Sequence, residues 1–262
     1  MDFKGAKCFY KVEGKGKAIM LVHGFIEEGS MWDVAVEALK KNYKVIVPDL
    51  PGFGSSAMIS KEVTLSMELY AEYLYEILKQ EKTKQLILLG HSMGGYVALN
   101  FAEKYGEMLL GFGLLNSHCF EDSPEKKVNR KKGIEFIKKN GTTVFITELY
   151  NNIFHESFKK KNQKLINELI AKALKYTPES VIRANEAMMN RKGKQDVLKN
   201  AKVPVLLVNG KEDESAPFSL TLQQASLPNV ADVHFFSPCK HMSIFEREKE
   251  TIGFIEGFVK MV

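Results

Sequence analysis

One serine in this chain stands where a serine can be made reactive. Residues Leu86 to Gly95, LILLGHSMGG, run as an apolar segment into Gly90-His91-Ser92-Met93-Gly94-Gly95 and on into the helix-compatible YVALNFAEKY. The pattern reads as a strand, a sharp turn and a helix with Ser92 at the apex. Gly90 and Gly94, two residues either side, remove the side chains that would collide where strand and helix pack closely, so the serine can sit strained with its hydroxyl exposed. A serine hydroxyl is a poor nucleophile at neutral pH unless a neighbouring base takes its proton. The rest of the chain must therefore bring a base and an acid that orients it. Candidates follow later apolar runs: the acidic loop Glu212-Asp213-Glu214, and His241.

The elements that would position these groups alternate. Residues 7–13 and 18–23 read as strands, the first alternating and the second continuously apolar as in a strand buried on both faces. Ser30 is expected to cap a helix to about Lys41 that carries Trp32, Val36 and Leu39, with Trp32 in the core, before a strand over Lys44 to Val47. Thr64 to Gln80 repeats apolar residues at helical spacing (Leu65, Leu69, Tyr73, Ile77). Further strands are expected at Gly111 to Asn116, Val203 to Asn209 and Asp232 to Ser237, with a C-terminal helix after Met242. Strands separated by helices at this spacing imply crossovers and so a mainly parallel sheet. Ser92 and the two later candidates then lie at its carboxyl edge, where open α/β sheets hold ligands.

The alternation stops from Glu121 to Asn200, which reads as three or four helices. They start at cap-like Ser123-Pro124 and Thr177-Pro178 and break near Gly141 and at Thr177. Apolar residues of this block, Phe145 and Met188 among them, must bury somewhere, and the mouth above Ser92 is the available surface. His118 and Cys119, just after a strand, are candidate substrate contacts or loop residues without a role.

Together the motifs resemble the α/β-hydrolase superfamily over nearly the whole chain, from about Cys8 to Val262. The resemblance implies a mainly parallel central sheet flanked by helices, with residues 1–120 and 201–262 as the core and 121–200 as an inserted helical cap, or lid. It further implies that Ser92, Asp213 and His241, in that chain order, form a catalytic triad. Asp213 with Pro217 fits the family's acid motif, Glu212 and Glu214 remaining as neighbouring alternatives. His23-Gly24-Phe25 matches a motif whose backbone helps bind an oxyanion, so the Phe25 and Met93 N–H groups are the implied oxyanion donors. His23 is read as a brace for its loop. Asp49, Gly52, Gly54 and Ser56 match an architectural loop of the family. One departure stands out: most members have glycine where this chain has Lys240, which puts the loop's backbone angles in question and sets a cation beside His241.

The reaction so implied is acyl transfer to water through an acyl-enzyme, with no cofactor. A small or medium carboxylic ester is the preferred substrate, because no stretch marks an acyl-CoA, peptide or dione site. Thioesterases, C–C bond hydrolases, lactonases, proline iminopeptidases and peroxidase-like enzymes share the machinery, and some members of the fold are slow small-molecule receptors. Three widely separated cysteines offer neither a disulfide framework nor metal-ligand spacing. The net charge of +5 is uneven: 18 Lys/Arg face 10 Asp/Glu between Glu121 and Asn200. Runs such as Lys159-Lys160-Lys161 suit solvated helix faces better than a nucleic-acid stripe, so no nucleic-acid partner is expected. No membrane span and no signal-peptide segment is legible, which gives a cytoplasmic expectation.

Overall fold

The structure, a computed structural model, describes all of residues 1–262. A short hairpin, β1 (Asp2–Phe3) and β2 (Ala6–Lys7), precedes a seven-stranded sheet. The sheet comprises β3 (Tyr10–Glu13), β4 (Ala18–Val22), β5 (Lys44–Pro48), β6 (Leu86–His91), β7 (Leu109–Leu115), β8 (Val205–Gly210) and β9 (Ala231–Phe236), in the order β3-β5-β4-β6-β7-β8-β9. Only the β3–β5 pair is antiparallel. Central strands β4, β6 and β8 are buried at every residue, which is why they read as unbroken apolar runs.

Helices α1 (Asp33–Leu39), α2 (Met67–Gln80) and α3 (Met93–Tyr105) belong to the first crossovers; α9 (Phe218–Ala225), α10 (Ser243–Glu246) and α11 (Glu248–Met261) follow β8. The sheet faces bury two apolar clusters, one with Tyr70, Tyr73 and Phe101, the other with Trp32, Ile19 and Phe258. Between β7 and β8 come five helices without a strand: α4 (Pro124–Asn140), α5 (Thr143–Ile153), α6 (Glu156–Ala173), α7 (Pro178–Met189) and the short α8 (Gln195–Lys199). Ser123 and Thr177 cap α4 and α7, each accepting a backbone N–H three residues on. No helix is long and apolar enough to cross a membrane.

Several local expectations need correcting. Ser30 caps nothing: its hydroxyl donates to Glu28 Oε1, and the chain enters α1 through a 3-10 turn over Gly29–Trp32. The next helix starts at Met67 rather than Thr64, with Ser66 accepting from Leu69 N–H. The strand expected over 7–13 is broken at Cys8-Phe9, because Phe9 N–H goes to Ser56 Oγ and Phe9 C=O accepts from Asp49 N–H and Tyr73 Oη. Trp32 is fully buried, as expected of a core residue.

Candidate active site

Ser92 sits between β6 and α3 at φ 51° and ψ −114°, a left-handed conformation that a serine adopts only under constraint from its surroundings. The constraint is steric. A Cβ at Gly90 would strike the backbone of Gly94, and one at Gly94 would strike the carbonyl oxygens of Val22 and His23. Glycine at both positions lets α3 start against β4 and β6, with Ser92 N–H held by Leu115 C=O at 2.9 Å.

The other two groups arrive from the ends of β8 and β9. Ser92 Oγ lies 2.8 Å from His241 Nε2, and His241 Nδ1 lies 2.7 Å from Asp213 Oδ2. With Nδ1–H donating to the carboxylate, Nε2 is the acceptor for the serine hydroxyl. Asp213 is fixed further: Oδ1 accepts the N–H groups of Ser215 and Ala216, and Oδ2 accepts Asn116 Nδ2 at 3.2 Å. Burial alone would raise its pKa, but the facing imidazole and these donors outweigh that and hold the carboxyl below its ordinary value. The neighbouring acids are occupied elsewhere. Glu212 accepts from Ser237 Oγ and Cys239 N–H, and Glu214 pairs with Lys240.

Lys240 is accommodated without a left-handed backbone, and its ammonium reaches Glu214 and the carbonyl of Asn152 rather than His241. His241 N–H donates to Ile153 C=O at 3.0 Å, which ties the imidazole-bearing loop to α5. Tyr150, on the same helix, donates to Ile26 C=O at 2.8 Å and ties α5 to the Gly24–Phe25 loop.

That loop lies across from the start of α3. Phe25 N–H has no hydrogen-bond partner, and Met93, as the first residue of α3, has no intrahelical acceptor for its own. His23 braces the loop: Nε2 accepts Leu50 N–H at 2.9 Å, which leaves Nδ1–H to donate to Gly24 C=O at 2.8 Å. Burial holds this ring neutral by lowering its pKa. Asp49 is structural, its two oxygens accepting Gly29 and Ser55 N–H.

A second buried histidine–carboxylate pair stands behind the first. Glu27 Oε2 accepts Gly24 N–H at 2.5 Å and faces His91 Nδ1 at 2.9 Å, while His91 Nε2 faces the carbonyl of His241 at 2.9 Å. With the Glu27 carboxyl held ionised, both partners of the ring are acceptors, so both of its nitrogens donate and His91 is an imidazolium. Burial opposes this, but the Glu27 charge and hydrogen bond win and raise the pKa of His91; Glu27 in turn is lowered against its own burial. The pair joins the Phe25 loop, the residue before Ser92 and the backbone of His241. Neither residue announces this in the sequence, because Glu27 lies in an irregular loop and His91 has the apolar strand ahead of it. Asn116, at φ 48°, is a third unforeseen member: it donates to Asp213 and to Lys240 C=O and accepts from Ser243. An asparagine directly after an apolar strand, at the sheet edge that carries the other groups, was the available signal.

A cavity of about 520 Å³ opens over Ser92 and His241. Phe25, Tyr96, Phe145, Leu149 and Met188 supply apolar wall, and one face of α4 supplies polar wall. Thus Phe145 and Met188 reach the cavity. His118 and Cys119 do not: His118 is buried edge-on against Tyr96, and Cys119 is buried with its N–H on Gln224. Burial pushes the Cys119 thiol up to about 12, which makes it inert, and Cys119 and Cys239 are both free.

Known proteins are similar to this chain in sequence and fold. At 30% identity over 105 residues, uncharacterised proteins of Mycobacterium tuberculosis match 40% of this chain, which spans only 30% of their length. The pimeloyl-[acyl-carrier protein] methyl ester esterase of Vibrio cholerae is 23% identical over 245 residues, 89% of this chain and 90% of that protein. A thermophilic esterase from Thermogutta terrifontis superposes with a TM-score of 0.91 at 29% identity, covering 98% of this chain and 94% of that one. The family model described as alpha/beta hydrolase fold matches residues 17–248, and with the sheet order, the strained serine and the inserted helices it establishes that the chain belongs to the α/β-hydrolase superfamily.

Proposed function

We propose that this chain is a serine hydrolase cleaving a small to medium carboxylic ester through an acyl-enzyme on Ser92. The observation that carries the reading is the contact of 2.8 Å between Ser92 Oγ and His241 Nε2, with Asp213 2.7 Å behind the ring. His241 takes the hydroxyl proton as Ser92 attacks the ester carbonyl, and Asp213 holds the tautomer and stabilises the imidazolium. The oxyanion is received by the N–H groups of Phe25 and Met93, a stabilisation for which one donor is worth about 10²–10³ in kcat. Collapse of the tetrahedral intermediate expels the alcohol, which takes the proton from His241. Water, deprotonated by the same histidine, then attacks the acyl-enzyme and releases the acid.

Residues 121–200 serve as the cap over a core of 1–120 and 201–262, with Phe145 and Met188 touching the substrate. The names of the Vibrio and Thermogutta relatives support ester cleavage. The test is hydrolysis of p-nitrophenyl esters from acetate to laurate by wild type and Ser92→Ala, with fluorophosphonate labelling of both. Multiple turnovers and labelling, both lost in Ser92→Ala, are expected. Labelling of Ser92 without turnover would instead favour a receptor-like binder.

A further inference from the structure

The face that α4 turns to the cavity is polar and cationic. Lys126, Asn129, Arg130 and Gly133 line it at helical spacings of three and four, so they share one side of the helix. A cap helix that only closed an apolar pocket would present Leu or Phe there, as α5 does with Phe145 and Leu149.

Arg130 is held in place rather than loose. Its Nε donates to Asp122 Oδ2 at 2.5 Å and its Nη1 to Asn185 Oδ1 at 2.9 Å, while Nη2 has no partner. Asp122, whose side chain is wholly buried, is shared with a second guanidinium: Arg191 Nη1 donates to Oδ1 at 2.7 Å. Arg191 is itself buried, with its guanidinium 3.8 Å from the centre of the Tyr96 ring, and Tyr96 lines the cavity beside Ser92. Two fixed guanidiniums against one carboxylate leave the wall one positive charge in excess. Lys126, one turn earlier on α4, adds another, since its ammonium meets only the carbonyl of Ser215 and no carboxylate.

The acids that line the cavity do not cancel this wall. Glu27 is neutralised by His91 and Glu214 by Lys240, Asp213 lies behind His241, and Glu125 is exposed to solvent. His118 reports the same local field. Burial first, then the charges of Arg191 and Lys126, drive its pKa down to about 3, so it stays neutral and adds no charge of its own.

We propose that Arg130, supported by Asp122, Asn185 and Lys126, forms a subsite for a carboxylate, and that the substrate is an ester carrying a carboxylate away from the scissile bond. The inference rests on the hydrolase reading above. A cavity-lining guanidinium with two of its nitrogens anchored and the third, Nη2, without a partner is preorganised, so binding a carboxylate requires little ordering of the side chain.

The experiment compares kcat/KM for monomethyl esters of straight-chain dicarboxylic acids, from succinate to suberate, with the matching dimethyl esters. A second pair of substrates carries the charge on the alcohol side: O-acetyl ω-hydroxy acids against their methyl esters. In at least one series the charged ester should be preferred by about tenfold or more, and the preference should shrink with added salt. Arg130→Gln should lower that charged-to-neutral ratio by about tenfold, and Arg130→Lys, which keeps the charge but not the fork, should recover part of it. Asp122 keeps Arg191 in either variant, and thermal unfolding checks that the cap survives; if Arg130→Gln does not fold, Lys126→Gln reads the same ratio. Wild type that prefers the neutral ester in every pair, or a ratio unmoved by these variants, overturns the subsite. Turnover of the neutral esters and its loss in Ser92→Ala test the hydrolase reading separately.

Discussion

Removing His91 should be far more damaging than its silence in the sequence suggests. The His91 ring is wholly buried and the Glu27 side chain only 6% exposed, so the pair is made in an environment largely closed to water. In His91→Leu the Glu27 carboxylate keeps a single donor, Gly24 N–H, and His241 C=O loses its partner. Breaking a buried ion pair from one side is destabilising by about 3–5 kcal/mol, a large share of the roughly 5–15 kcal/mol that holds a domain folded. Glu27→Leu should act similarly by stranding an imidazolium. The double variant should be destabilised by less than the sum of the two, with a coupling of about 0.5–3 kcal/mol. Urea unfolding of the four proteins gives the cycle. Because the pair ties the Phe25 loop to His241, kcat of the folded single variants should also fall by about 10²-fold, the scale of an ångström-sized misplacement. Singles that unfold with less than about 1 kcal/mol of loss, or a double variant equal to their sum, would refute a coupled buried pair.

The same pair sets a pH window. The raised pKa of His91 contributes stability that is full below its ordinary 6.5 and lost as pH rises through the folded value; the lowered pKa of Glu27 contributes stability that is full above its ordinary 4.5 and lost as pH falls through the folded value. Unfolding free energy of wild type should therefore decline more steeply on the alkaline side than that of the double variant, measured by urea titration across pH. Asp213→Asn leaves the size of the group intact but removes the charge that fixes the His241 tautomer, and kcat on a p-nitrophenyl ester should fall by about 10⁴-fold. Asn116→Ala removes one donor from Asp213 and the acceptor of a buried Ser243 hydroxyl, so stability should drop by about 1–3 kcal/mol in thermal or urea unfolding, with a loss of kcat greater than any change in KM.

The parts that sequence could carry are those with short-range causes. Ser92 is legible because its strain demands glycine at fixed offsets and an apolar strand before it. The parallel sheet is legible because strands buried on both faces must be continuously apolar, as β4, β6 and β8 are. Where competing polar partners decide, local pattern misleads: Ser30 has the type of a helix cap, but Glu28 takes its hydroxyl. Contacts between distant segments leave no local trace. Glu27 and His91 are 64 residues apart, and Arg130 and Asn185 are 55 apart. The basic excess of residues 121–200 is visible as a count, yet which two cations face the cavity depends on the rotation of α4. His118 follows a strand at the right edge of the sheet, but it is buried edge-on against Tyr96 and does not line the cavity.

The acyl-enzyme itself is the most direct test. Wild type and Ser92→Ala, mixed with p-nitrophenyl acetate and quenched in acid within the first turnover, are compared by intact mass and peptide mapping. Acyl transfer through Ser92 requires wild type to gain one acetyl group on the peptide that contains Ser92, together with a stoichiometric release of nitrophenol, and requires both to vanish in Ser92→Ala. Turnover that persists in Ser92→Ala, or an acetyl group carried stably on another residue, would contradict it.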